Sequence, residues 1–244
     1  MRLQTTAITA LLASLSDAQT LNIPSRVGSI VSLAQPSSIS GSKDMGYREF
    51  DRGRACDTDV DTGSENAVFI LENGATLSNA IIGANQLEGV HCKGARTLIN
   101  VWFRDVCEDA ISALGNGNVL IQGGGAQNAA DKVVQHNGRG TVTVRDCTVV
   151  TAGKLCRGCG NCSNNGGPRN VVIQNVKARS VSELVGINSN YGDVATISGS
   201  CGTTVKKVCQ EYEGIELDIA ADRRRLERGS GGSSVGEAYA VAEK

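Results

Sequence analysis

Aromatic side chains are scarce in this chain: Phe, Trp and Tyr make up 3% of its 244 residues. Proline occurs three times and tryptophan once. A core built around large rings is thereby excluded, and the plentiful Val, Ile and Ala must pack as layers of small aliphatics. Only two histidines are present, and no second CxxC stands at zinc spacing from the CRGCGNC segment, so disulfides are favoured over a zinc knuckle. An excess of one charge is also missing. A formal net charge of −1 supplies no whole-molecule field for nucleic acid or other polyanions, so any anion binding must be local. No stretch approaches the roughly 20 apolar residues that a membrane span requires.

What is there begins with 30 glycines and a length that buries one sizeable core without demanding a second domain. Arg2, a mildly apolar stretch from Leu3 to Leu15, and the small residues Ser16 and Ala18 before Gln19 read as a secretory leader over residues 1–18. Nine cysteines agree with export, because disulfides persist in an oxidising compartment, and an odd number leaves at least one thiol unpaired or paired between molecules. A main domain over residues 19–215 is expected, opening with a Ser-rich capping segment in which Ile30, Val31 and Leu33 supply a first strand. Beyond Ile215, the RRRLER run and the Gly/Ser stretch after it read as a solvated, low-complexity tail over residues 216–244.

Short alternating runs recur at the length of one solenoid coil. Leu77 to Leu98 is 21 residues, Leu98 to Leu120 is 22, Ile121 to Val144 is 23, and Val144 to Ile173 is 29, the last step containing the extra loop CGNCSNNGGP. Asn79 and Asn100 fall at corresponding places and predict an inward-stacked turn ladder. An antiparallel sandwich would place its turns every 8 to 12 residues instead. Thr, Val, Gly and Asn stand where helix formers would be needed, which disfavours a helical solenoid. Ionisable residues follow the coil: Glu88 to Glu108 is 20 residues, Asp109 to Lys132 is 23 and Lys132 to Lys154 is 22, with Arg157 close behind. Acids on two coils would then lie beside bases on the next two, an arrangement suited to a divalent cation next to a basic patch facing an anionic substrate.

The segments GVHCKG, NVWFRDVCEDA, GGGAQNAADKVVQHNGRGTVTV, AGKLCRGCGNC and LVGINSNYGD, in that order, resemble the secreted pectate lyases of polysaccharide lyase family 3. The resemblance runs from about residue 22 to 215. It implies an all-β fold, a right-handed single-stranded parallel β-helix, and calcium-dependent β-elimination on polygalacturonate, the de-esterified form of pectin. Glu88, Glu108 and Asp109 match the calcium motif, Glu88 standing where an Asp is frequent. Lys132 matches the catalytic lysine of the DKV motif, and a neighbouring cation and other bases are expected to lower its pKa. Lys154 and Arg157, from GKLxR, match the groups that hold uronate carboxylates, with Arg157 the second choice as base. Two positions depart from the pattern: Leu114 stands where a groove lysine is common, and Arg96 replaces the partner of Cys92, which makes Cys92 the candidate for the odd thiol.

Taken one by one, these charges also suit an ordinary solvated face with weak surface ion pairs. His91 and His136 have no matched third group and read as packed or hydrogen-bonded residues, and Trp102 as a packing residue. Leu114, Cys92 and the unusual tail motivate an alternative, a pectin-binding or host-recognition solenoid without turnover. A purely structural solenoid would carry regular Thr or Asn faces in place of the charged motifs. Nothing in the sequence points beyond a monomer.

Overall fold

The computed structural model describes residues 21–58 and 60–215. The expected leader and tail lie outside the described residues. Fifteen strands form one continuous curled sheet, and every strand pairing in it is parallel. Each coil contributes three short strand segments and so builds three faces, as Arg96–Phe103 and Asp109–Ala113 do within one turn of the chain. The result is the parallel β-helix that the coil-length spacing predicts. Its first strand, Val31–Ser32, pairs with Phe50 and Asp51 and closes one end, where the cap was expected.

The core is a set of aliphatic columns. On the first face Leu77, Leu98, Ile121, Val144, Ile173 and Ile197 stack in register. The true partner of Leu98 is thus Ile121, one residue on from the Leu120 that the spacing picked. On the third face Val90, Ile111, Val134, Cys156 and Val185 form a second column. Phe50 and Phe69 meet edge to face at 5.1 Å near the capped end, where the small core has its rings. Ile173 is fully buried between Val144 and Ile197. Ile173→Val should therefore lower unfolding free energy by about 1 kcal/mol, as urea denaturation would measure.

The bend between the first and second faces explains the Asn spacing. Asn79, Asn100, Asp146 and Asn175 have φ of 51, 54, 57 and 53°, the left-handed region that Asn and Asp tolerate best among residues with a side chain. Asn100 Nδ2 donates to Asn79 Oδ1 at 3.1 Å, and Asn175 Nδ2 to Asp146 Oδ1 at 3.0 Å. Gly123, with φ 67°, interrupts this ladder because a Cβ there would run into Asn100 Oδ1. The predicted ladder exists, but Asn79 and Asn100 are half-buried and Asp146 and Asn175 exposed at the bend, so it is not stacked in the core.

Two disulfides form, Cys56–Cys107 and Cys159–Cys162. Five thiols remain free, in keeping with the odd count: Cys92, Cys147 and Cys156 are buried, and Cys201 and Cys209 are exposed. Cys92 is among them as expected, with Arg96 beside it, and burial pushes its thiol up to about 12. Such a thiol is inert packing.

Candidate active site

The third face starts with a charged column. Val90 pairs with Ile111 and Asp109 with Lys132, so Glu88 is level with Asp109, and Glu108 is displaced by one position. Lys132 pairs in turn with Lys154, and Lys154 with Glu183. The acids-beside-bases order read from the sequence is therefore present, with Asp109 in the place given to Glu108.

Glu88 is buried and well held. Its Oε1 accepts from the Thr62 backbone N–H at 2.7 Å and from Thr62 Oγ1 at 3.2 Å, while Oε2 lies 3.2 Å from His91 Nε2. His91 Nδ1 lies 2.9 Å from Ser64 Oγ, so this histidine orients the carboxylate from within a hydrogen-bonded chain. His136 is a packed residue, driven down to about 3 by burial and by the Arg169 and Arg139 charges. Both histidines thus fill the supporting places expected of them.

Glu108 and Asp109 are adjacent carboxyls in a confined space. Burial raises the pKa of each, most for Asp109, and their mutual proximity and the nearby Glu88 charge add to the rise in Asp109. Asp109 Oδ1 is buried and accepts no hydrogen bond. Clustered hard oxygens with an unused buried lone pair fit a calcium ion, which takes oxygen ligands and offsets their repulsion. Among the described residues no three His, Cys, Asp or Glu groups close into a finished metal cage.

Lys132 lies between Asp109 and Lys154 in the column. It is 1% exposed, its ammonium ion-paired with Asp131 and 3.7 Å from Asp109 Oδ1. Burial lowers its pKa, but Asp109, Asp131 and Glu108 outweigh that and hold it above the usual amine value. The expected lowering assumed a bound cation beside the amine; among the protein's own groups the carboxylates outweigh burial and the neighbouring Lys154. Asp131, which the sequence reading passed over, is the bridge of the site. Burial works against its ionisation, yet hydrogen bonds from Lys132 and Lys154 prevail and lower its pKa, and Lys154 Nζ lies 2.7 Å from its Oδ1.

Arg157 is buried, three residues beyond Lys154 on the same strand. Its Nη1 donates to the Gly158 carbonyl and to Asn188 Oδ1, the latter at 3.0 Å, and its guanidinium carbon sits 3.9 Å from the centre of the Tyr212 ring. Asn188 is fixed by donating to the Cys159 carbonyl at 2.9 Å and to Asp193 Oδ2 at 3.2 Å. Neither Asn188 nor Tyr212 was singled out, since the 29-residue coil hides their alignment with the site. Glu183, level with Lys154, was missed for the same reason.

Two cavities open along this face and share Gln135, Cys159 and Asn161. The larger, about 370 Å³, is walled by Asp131, Lys154, Arg157 and Tyr212. The smaller, about 310 Å³, is walled by Asp61, Glu108, Asp109 and Leu114. The groove is therefore acidic at the smaller cavity and of mixed charge at the larger, where Asp131 and Glu213 stand with Lys154 and Arg157, and Leu114 brings an apolar side chain to the acidic end. Trp102 lies elsewhere, half-buried on the second face between Ile81 and Gly125.

Fold and groove together define a parallel β-helix protein with a charged groove along its third face. The pectate lyase family model matches residues 20–218, and the chain belongs to that family. Probable pectate lyase E of Neosartorya fischeri is 54% identical over 214 residues, which cover 87% of this chain and 82% of that relative. Pectate lyase E of Emericella nidulans is also 54% identical, over 87% of this chain and 83% of its own. Among solved structures, the catalytic domain of pectate lyase PelI from Erwinia chrysanthemi superposes with a TM-score of 0.67 at 32% identity, over 88% of this chain and 95% of that one. PelI in complex with tetragalacturonic acid gives 0.63 at 37% identity, over 74% of this chain and 60% of that one.

Proposed function

We propose that this chain is a calcium-dependent pectate lyase that cleaves (1→4)-α-D-galacturonan by β-elimination, as a secreted monomer, leaving unsaturated oligogalacturonides. The observation that carries the reading is the register column of Asp109, Lys132 and Lys154, with Lys154 and Arg157 lining the larger cavity beside it. In β-elimination the C5 proton is removed, its electron pair becomes the C4=C5 double bond, and the C4–O bond breaks with the leaving oxygen taking a proton. The C5 proton is weakly acidic until charge growing toward the adjacent carboxylate is stabilised.

Lys132 is the group assigned to take that proton, and Lys154 and Arg157 hold the uronate carboxylates that orient C5, Arg157 with a planar fork suited to bidentate contact. Arg157 is the second choice as base. A calcium ion held by Glu88, Glu108 and Asp109 would act as a Lewis acid toward the uronate carboxylate and screen the carboxylates that keep Lys132 protonated. Asp131, between the two lysines, is placed to accept the Lys132 hydrogen bond in the resting protein and release it when a uronate competes for the amines.

Leu114 and Cys92 do not favour the alternative without turnover. Leu114 lines the acidic end of the groove and leaves the Lys154–Arg157 wall intact, and Cys92 is buried in the core. The test is ultraviolet absorbance of unsaturated uronate released from polygalacturonate at mildly alkaline pH. A signal that disappears with a calcium chelator and returns with added calcium is expected. Binding of polygalacturonate with no product at any calcium level would select the pectin-binding solenoid instead.

A further inference from the structure

We propose that Tyr212 is a positioning residue for Arg157, fixing the plane of its guanidinium so that the fork meets a uronate carboxylate in the larger cavity. The proposal rests on the reading of Arg157 as a substrate contact. Tyr212 ends the strand Cys201–Tyr212 in the last described coil, far from Arg157 in sequence and level with Asn188 in register. Its ring lies 3.9 Å from the guanidinium carbon, a stacking contact between a cation and an aromatic face. Its hydroxyl donates to Glu183 Oε2 at 2.7 Å, and Glu183 is buried, so the ring cannot turn without giving up a buried carboxylate's partner.

Arg157 is thus held from its face by Tyr212 and from its edge by Asn188 and the Gly158 carbonyl. Gly186 makes the assembly possible. A Cβ there would meet Glu183 Oε1, would lie 2.6 Å from Arg157 Cδ and 2.9 Å from Tyr212 Cε2, so these three side chains converge over a residue that has none. Gly160 does the same beside the other end of the guanidinium, where a Cβ would lie 2.9 Å from Nη2. Both Arg157 and Tyr212 line the larger cavity, and Tyr212 is half-buried there, its ring turned to a cation and not to the aliphatic core. An arginine that is pre-oriented loses less side-chain freedom on gripping a carboxylate, so the benefit falls on substrate binding more than on proton transfer.

The test is steady-state kinetics on polygalacturonate for Tyr212→Leu, Tyr212→Phe and Arg157→Ala, with the same measurements on highly methyl-esterified pectin. Tyr212→Leu should raise KM on polygalacturonate by about tenfold with kcat nearly unchanged, and change KM on esterified pectin little. Tyr212→Phe, which keeps the ring but loses the hydroxyl bond to Glu183, should fall between the wild type and Tyr212→Leu on the same scale. In an Arg157→Ala background, Tyr212→Leu should have no further effect on KM. If Tyr212→Leu does not fold, Tyr212→Met supplies the same comparison with apolar volume kept and the ring removed. A wild-type KM in the folded ringless variant, beside a strongly impaired Arg157→Ala, overturns the positioning role alone. Wild-type kinetics in Arg157→Ala overturn the role of Arg157 itself.

Discussion

Lys132→Ala should lower turnover on polygalacturonate by about 100-fold or more, the range typical for loss of a general base, while calcium and pectate binding stay close to wild type. The direction of the calcium effect follows from the surroundings. Lys132 is the cation paired with Asp131 and 3.7 Å from Asp109, so its removal leaves the carboxylate cluster more negative. Calcium affinity should be kept or increased, which separates a lost base from a collapsed metal site. Removing one member of a buried charge group also destabilises the fold, so the melting temperature should fall. Rates are therefore compared per folded molecule, with Lys132→Met as a control that keeps the volume of the side chain. Initial rates and calorimetric calcium titration of both variants make the comparison.

Asp109→Ala should produce the opposite pattern. The calcium concentration needed for half-maximal activity should rise, and activity should partly recover when calcium is increased. Asp109 is buried beside Glu108, and burial and that neighbour both hold its carboxyl above the usual carboxylate range. Asp109 repels Glu108 but also faces the buried Lys132 ammonium at 3.7 Å, so taking it away removes an oxygen ligand and lowers the melting temperature modestly. A variant with poor calcium response but an intact fold is the expected outcome, read by activity against calcium concentration and by thermal melting. Activity that stays low at every calcium level would assign Asp109 to some other task.

Much of the fold was legible because the coil period is written in the core columns: Leu77, Leu98, Val144 and Ile173 recur in a way that only stacked parallel strands explain. The register was less so. Leu120 and Ile121 are both aliphatic, and only the left-handed Gly123 after them fixes which one faces inward. The same one-residue slip exchanged Asp109 for Glu108 in the charged column. Cys56–Cys107 spans 51 residues and no spacing rule announces it. Within the site, residues carrying formal charge in coil register were readable. Tyr212, Asn188 and Glu183 were not, because the loop of the 29-residue coil breaks the period on which their alignment depends. The carboxylates around Lys132 were only partly readable, because Asp131 is adjacent in sequence yet able to face either neighbour and Asp109 lies across a coil.

Chemical rescue of Lys132→Ala by methylamine tests the proton-removal step most directly. The truncated side chain leaves space beneath Asp131, which itself lines the larger cavity. With calcium saturating, release of unsaturated uronate from polygalacturonate should rise with the concentration of the free amine base and not with that of its protonated form. Near-wild-type turnover of Lys132→Ala without amine, beside an Arg157→Ala protein that binds pectate but forms no product, would contradict the assignment and move the base to Arg157.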